Sequence, residues 1–293
     1  MPYKIILLET ARKLAEQHNF DGASLREAIP YLEAFQGKKF VLKIGGSVLR
    51  DERLIPRLIS DVIFLKRLDI NVILVHGGAR QLDRHMESLG MEPSKLDGLR
   101  VTSREVLELA NEVFLEISYK IRDAVAHRGY RGVIFDRSSG LVCSRRKHAG
   151  LGYVGEPERV DASLLEQLPA EAVPIVTAIT SGVEPGEPGY NVNADEVASA
   201  IAREIQAEKL ILMTDEDGVK DRSGDLLPTL TRQQAEALIE SGVIYGGMIP
   251  KVQACLEPLQ HGVSKSHIIK GDADSFINEI LTDAGVGTEF IRG

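Results

Sequence analysis

No stretch of the 293-residue sequence approaches the roughly 18 uninterrupted apolar residues that a membrane-spanning helix needs. An apolar run at residues 5–8 is broken almost at once by Glu9, Arg12 and Lys13, and no signal-peptide core with a small-residue cleavage site follows. Both absences predict a cytosolic protein with no membrane partner. Cysteine is scarce. Cys143 and Cys255 stand far apart without metal-ligand spacing, which argues against a disulfide framework and predicts two reduced thiols and no protein-held metal. Positive charge is not in excess: the formal net charge is −8 with both signs mixed along the chain, so nothing points to a nucleic-acid surface. There is no internal repeat, low-complexity segment or long linker, and no Gly-x-x-x-x-Gly-Lys-Ser/Thr loop of the Walker type. What is present, 43% hydrophobic and 27% charged residues, is ordinary globular composition, in a chain long enough for one large α/β unit or two lobes.

Residues 1–36 read as a helical preface. Leu7, Ala11 and Leu14 lie at helical spacing, residues 19–22 break the run, and Ser24-Leu25-Arg26-Glu27 has the form of a capping box that starts a second short helix. Pro30 is expected to end or kink that helix near Ile29. The apolar face of the preface needs cover, from its own domain or from another subunit.

From Lys38 the pattern alternates. Strands are expected over 39–44, 71–75, 132–135, 173–177, 209–214, 266–270 and 288–291, with helices over 53–68, 80–89, 103–128, 232–241 and 251–261. Strand, glycine, helix repeated in this way predicts parallel βαβ units in an open sheet, where ligands bind beyond the carboxyl ends of the strands. Two of those ends carry glycine pairs, Gly45-Gly46 and Gly77-Gly78. The basic run Arg145-Arg146-Lys147 reads as a solvated turn between short strands.

The stretch Gly189-Tyr190-Asn191-Val192-Asn193-Ala194-Asp195 packs two amides and a carboxylate ahead of a helix whose apolar face is Val197, Ile201 and Ile205. Asn193 or Asp195 can cap that helix, and its entrance carries a partial positive charge suited to an anionic ligand. Lys43 sits among apolar strand residues one position before the first glycine pair, where burial is costly unless an anion or carboxylate meets it. Glycines beside it let backbone N–H groups approach a phosphate. Lys251 stands at a second glycine-rich helix entrance, in Gly246-Gly247-Met248-Ile249-Pro250-Lys251. Arg100, just before a helix, offers a fork for a carboxylate or forms a surface ion pair; His76 reads as a structural hydrogen-bonding residue. Residues 212–217 end a strand in acidic groups that bind a sugar hydroxyl or face water. Two lysines, glycine loops, a carboxylate to orient the lysines and a fork for an acceptor suit phosphoryl transfer, which needs positive charge more than covalent help.

Lys43-Ile44-Gly45-Gly46, His76-Gly77-Gly78, Gly98-Leu99-Arg100-Val101-Thr102, Asn191-Val192-Asn193-Ala194-Asp195 and Gly247-Met248-Ile249-Pro250-Lys251 resemble, in order and spacing, the motifs of the amino acid kinase family, over roughly residues 37–293. Within it the likeness is to the branch that acts on N-acetylglutamate, and the lead-in before Lys38 is similar to that of its arginine-sensitive, hexameric members. The resemblance implies an α/β fold, a three-layer αβα sandwich on a mostly parallel central sheet. It implies a helical extension at 1–36 for oligomerisation, a lobe at 37–180 for the acyl substrate and dimer contacts, and a lobe at 181–293 for nucleotide. The implied reaction is ATP-dependent phosphorylation of the γ-carboxylate of N-acetyl-L-glutamate, with Mg²⁺ carried on the nucleotide and arginine as effector of a homo-oligomer. By motif, Lys43, Asp195 and Lys251 are the catalytic set. Gly77, Gly78, Arg100 and Asn191 bind the acceptor, and Gly45, Gly46, Thr214, Asp215, Gly218 and Lys251 bind the donor. Ala79 replaces a third glycine, Ile44 a common tyrosine, and residues 111–114 and 136–140 lack the usual Gly-x-Val-Asn-Lys and Ser-Gly-x-Asp. Those departures fall in the substrate lobe. They keep open a sister kinase acting on another carboxylate, such as a carrier-linked aminoadipate, and a non-catalytic sensor of arginine or acetylglutamate.

Overall fold

The computed structural model of the chain describes residues 22–51, 53–96, 99–272, 275–282 and 285–293. The first helix expected around Leu7, Ala11 and Leu14, and Gly98 of the arginine motif, lie outside them. In chain order the elements begin with α1 (Gly22–Phe35), β1 (Lys39–Ile44), α2 (Gly46–Arg50), α3 (Leu54–Arg67), β2 (Asn71–His76) and α4 (Ala79–Ser88). A ribbon of β3 (Lys95–Leu96) and β4 (Leu99–Arg100) leads to α5 (Arg104–Ala126), β5 (Arg131–Phe135), β6 (Val142–Arg146), β7 (Gly155–Val160), α6 (Ser163–Glu166), β8 (Ala172–Thr177), β9 (Ile179–Gly182) and β10 (Tyr190–Asn191). The remainder is α7 (Ala194–Glu204), β11 (Lys209–Thr214), β12 (Thr229–Thr231), α8 (Arg232–Glu240), α9 (Met248–Leu259), β13 (Lys265–Lys270), α10 (Ser275–Leu281) and β14 (Thr288–Ile291).

Eight strands form one sheet in the order β12-β14-β13-β11-β1-β2-β8-β5, parallel except at the edge, where β14 runs antiparallel to β13 and β12 follows β14. Every residue of β8 and β11 is buried, which explains why the middle of each strand reads as an apolar run: helices cover both faces. On one side α7 and α9 pack on each other and over β1, β11 and β13; elsewhere α5 packs on β5 and β8, and α10 on β13, α3 and α1. A smaller sheet, β10-β9-β6-β7, projects from the β8 side. Among the described residues no helix is long and apolar enough to cross a membrane.

Three expectations change. Helix α1 is already formed at Gly22, the first described residue, and continues through Pro30 to Phe35, so Ser24 lies inside it and the proline does not end it. Ala28, Leu32 and Phe35 are buried on one face, with Phe35 edge-on to Phe40 of β1, and this packing outweighs the single backbone bond that Pro30 forfeits. Cover for this part of the preface therefore comes from its own domain. Arg145 and Arg146 are not a turn but the end of β6, paired with β7, where Arg145 meets Glu156. Helix α9 starts three residues before Lys251, which puts that lysine in its first turn.

Sheet topology directs function to one place. From β1 the chain builds outward to β2 on one side and returns to β11 on the other, so a crevice opens at their carboxyl ends. Gly45 closes the floor of that crevice: a Cβ there would stand 2.1 Å from the Met213 carbonyl oxygen of β11. Gly45→Ala is expected to lower stability by about 3 kcal/mol through this backbone clash, read as a drop in urea midpoint; an unshifted midpoint would mean the two strand ends can separate freely.

Candidate active site

A cavity of about 1290 Å³ lies over the carboxyl ends of β1, β2 and β11, larger than the roughly 300–1,000 Å³ typical of one small-molecule site. It has room for two ligands side by side. Lys43, Gly46, Gly77, Gly78, Arg100, Asn191, Asp195, Thr214, Asp215, Gly218 and Lys251 all line it. Gly45 does not, since it packs beneath against Met213.

Asp195 is the centre of this wall. Asn193 caps α7, its side chain accepting the Asp195 backbone N–H at 3.0 Å, so Asp195 occupies the second position of the helix, where a carboxylate is favoured by the dipole. Ala198, Ala200 and Ala202 are small enough to seat α7 close to the sheet. Its carboxylate, only 3% exposed, meets Lys43 Nζ with one oxygen and Lys251 Nζ with the other, both at 2.8 Å. Lys43 rises from β1 and Lys251 from the first turn of α9, which is clamped to α7 by Glu257 accepting from Ser199 and Arg203. Burial by itself pushes the Asp195 carboxyl up, but the two ammonium groups overcome it and hold the group at about 2. Burial pulls the Lys43 ammonium down, with Asp195 opposing. Two cations on one carboxylate leave a net positive charge, fixed in place and largely dry: a preorganised anion site.

Arg100 is largely buried and ion-paired with Asp83 of α4, while its Nη2 also donates to the Ala79 carbonyl. Asn191 donates from its amide to Thr102 Oγ1 at 3.3 Å. Gly78 permits close approach of another kind: an added Cβ would stand 2.6 Å from the Phe114 ring, so this glycine is required by packing as well as by the cavity. Gly77 is open apart from Ala194 at 3.4 Å. Asp215, which follows β11, accepts from Arg50 at 3.1 Å and from Arg80 at 2.9 Å. Gly218, at φ +152°, would press a Cβ against Leu226 and Thr288. Asp83, Arg50 and Arg80 escaped sequence reasoning. A usable signal existed for Arg80 alone: a cation directly after His76-Gly77-Gly78-Ala79, in the first turn of a helix, where cations are disfavoured.

His76 is wholly buried. The Gly77 carbonyl, 2.9 Å from Nδ1, can only accept, so Nδ1 carries the proton and Nε2 accepts from Ser118 Oγ at 2.8 Å. Burial pushes the imidazole down to about 4. A folded-state value below the unfolded 6.5 means that the unfolded chain binds the extra proton first, so stability is lost as pH falls from 6.5 towards 4. The loss is expected to reach about 3 kcal/mol, and His76→Gln should flatten that part of the stability profile. An unchanged slope would assign the acid loss to other groups.

The sequence model of the amino acid kinase family matches residues 38–270. The acetylglutamate kinase of Desulfotalea psychrophila is 39% identical over 282 residues, covering 90% of this chain and 95% of that protein. That of Sulfurimonas denitrificans is 37% identical over 271 residues, with 91% and 96% covered. Among solved structures, the N-acetylglutamate synthase of Neisseria gonorrhoeae complexed with coenzyme A and L-arginine superposes with a TM-score of 0.82 at 26% identity. The match covers 92% of this chain and 65% of the synthase, so the chain spans just under two thirds of that longer protein. The carbamate kinase of Giardia lamblia bound to AMP-PNP shares the fold, with a TM-score of 0.65 at 15% identity.

Proposed function

The chain belongs to the amino acid kinase family, and from that premise we propose that it transfers the γ-phosphoryl group of ATP to the γ-carboxylate of N-acetyl-L-glutamate, making the acyl phosphate of arginine biosynthesis in the cytoplasm. The observation that carries this reading is the buried Lys43–Asp195–Lys251 triad at the wall of a two-ligand cavity. An acceptor carboxylate is ionised at neutral pH, so the reaction needs no general base. What it needs is positive charge on the transferring group and on the oxygens at either end. Lys43 and Lys251 supply it from two sides, and Asp195 holds both ammonium groups so that little reorganisation is left for the transition state. Gly46 and Gly77 give the phosphoryl group its close approach. Arg100 takes the acceptor's α-carboxylate, exchanging part of its contact with Asp83, and Asn191 holds the acceptor from the other side. Thr214, Asp215 and Gly218 border the nucleotide, and Mg²⁺ arriving on ATP adds charge neutralisation. In this reading the lobe at 37–180 serves mainly the acceptor, with Asn191 reaching in from the other lobe, and the lobe at 181–293 serves mainly the donor.

The test is to supply ATP and trap acyl phosphate with hydroxylamine, using N-acetyl-L-glutamate beside glutamate, aspartate and aminoadipate. Hydroxamate from acetylglutamate alone is the expected result. Product from aminoadipate instead would move the chain to a sister kinase, and binding without product to a sensor. Arginine as effector is supported by the L-arginine named with the synthase that superposes on this chain. A hexamer built from dimers rests on the resemblance of the lead-in; deletion of residues 1–20 is expected to leave dimers in sedimentation, and an unchanged coefficient would count against it.

A further inference from the structure

We propose that Arg80, with Arg50 beside it, forms a second cationic cradle that grips the phosphates of the nucleotide donor that are not transferred, with Asp215 holding the pair in place until nucleotide arrives. This rests on the kinase reading and adds residues to it. The arrangement at Asp215 repeats the one at Asp195: one carboxylate oxygen meets Arg50 Nη2 at 3.1 Å and the other Arg80 Nη2 at 2.9 Å. Two cations against one anion again leave a net positive charge. Unlike the buried triad, this one is open to exchange, since the Arg80 side chain is 53% exposed and those of Arg50 and Asp215 about one third.

Its position is on the donor path. The Cδ and Nε atoms of Arg80 pass 3.9 and 4.0 Å from the point where a Cβ on Gly46 would stand, so the side chain lies over the glycine that follows Lys43. Asp215 directly follows β11, the strand that pairs with β1. The acceptor arginine, Arg100, is engaged instead by Asp83, not by Asp215.

The fold itself has little use for Arg80. It stands in the first turn of α4, where Gly78 provides no side-chain cap and the unpaired backbone N–H groups already concentrate positive charge. A cation there works against the helix dipole, and a half-exposed ion pair contributes little in return. A local rule broken without structural gain, in a cavity wall, points to a ligand. Guanidinium groups suit a polyphosphate because their planar forks bind two oxygens at once.

The experiment is calorimetric binding of adenosine, AMP, ADP and the imido analogue of ATP to the full chain. For Arg80→Ala the expected result is a loss of about tenfold or more for ADP and the ATP analogue, a smaller loss for AMP, and adenosine held within about twofold. In turnover, KM for ATP should rise while KM for acetylglutamate stays put. Arg80→Lys should recover part of the loss, and Arg50→Ala should show the same pattern, which also covers the case in which Arg80→Ala does not fold. Equal loss across all four ligands, or wild-type affinity for ADP in both alanine variants, overturns the proposal. If the unaltered chain makes hydroxamate while the variants bind ADP normally, only the cradle falls. If the unaltered chain binds no nucleotide, the cradle and the kinase reading fall together.

Discussion

Asp195→Ala is expected to destabilise the protein by about 3–5 kcal/mol and to abolish most of its activity, the largest combined effect of any single change in the site. The reason is what the carboxylate leaves behind. Lys43, 11% exposed, and Lys251 would face each other with no anion between them. Burial already lowers the Lys43 ammonium, and losing Asp195 removes the first of the groups that oppose it. In the variant the folded-state pKa of Lys43 lies further below its unfolded value, so the folded chain gives up that proton first as pH rises. The deficit should therefore shrink at alkaline pH, through the window between that lowered value and about 10.5. In the unaltered protein the acid limb has the opposite origin. Asp195, held at about 2 against 3.8 unfolded, contributes about 2 kcal/mol that is present above pH 3.8 and lost as pH falls towards 2. Urea unfolding of both proteins from about pH 2 to about pH 10.5 reads both limbs. An alanine variant as stable as the parent at pH 7 would show that the lysines do not depend on Asp195.

Lys251→Met is expected to lower kcat by about 10²–10³ while nucleotide and acetylglutamate still bind within a few-fold. Methionine keeps an unbranched stem of similar reach in the first turn of α9 and deletes only the ammonium that meets Asp195. If that ammonium acts on charge that develops in transfer, kcat and kcat/KM fall together and KM holds. Hydroxamate formation gives the first quantity and calorimetry the second. A rise in KM with kcat intact would make Lys251 a ground-state contact. Stability should fall less than in Asp195→Ala, because Asp195 retains Lys43 and the entrance of its own helix.

Much of this was legible in the sequence, for a physical reason. Strands buried on both faces are largely apolar, so β1, β2, β8 and β11 announced themselves within a residue or two. Glycines at strand ends and a lysine among Val41, Leu42 and Ile44 stand out because each is costly unless something close by requires it. Residue type at a strand end thus marked the chemistry, and local preference marked Asn193 as a cap.

What local chemistry could not decide was partnership. Ser24 and Pro30 predicted a helix boundary that the packing of Leu32 and Phe35 overrode. Gly45 and Gly46 are identical in sequence terms, yet one is closed against Met213 and the other opens on the cavity. Arg100 acquired Asp83 and Asp215 acquired two arginines because α2, α4 and β11 end at the same rim of the sheet. The sequence alone determined most strands of the large sheet, its longer helices, the glycine turns and the ionisable groups the site would hold, since these follow from periodicity and from what each side chain loses on burial. Only the tertiary structure decided which charge faces which, because that depends on strand order and helix seating, which join residues far apart in the chain.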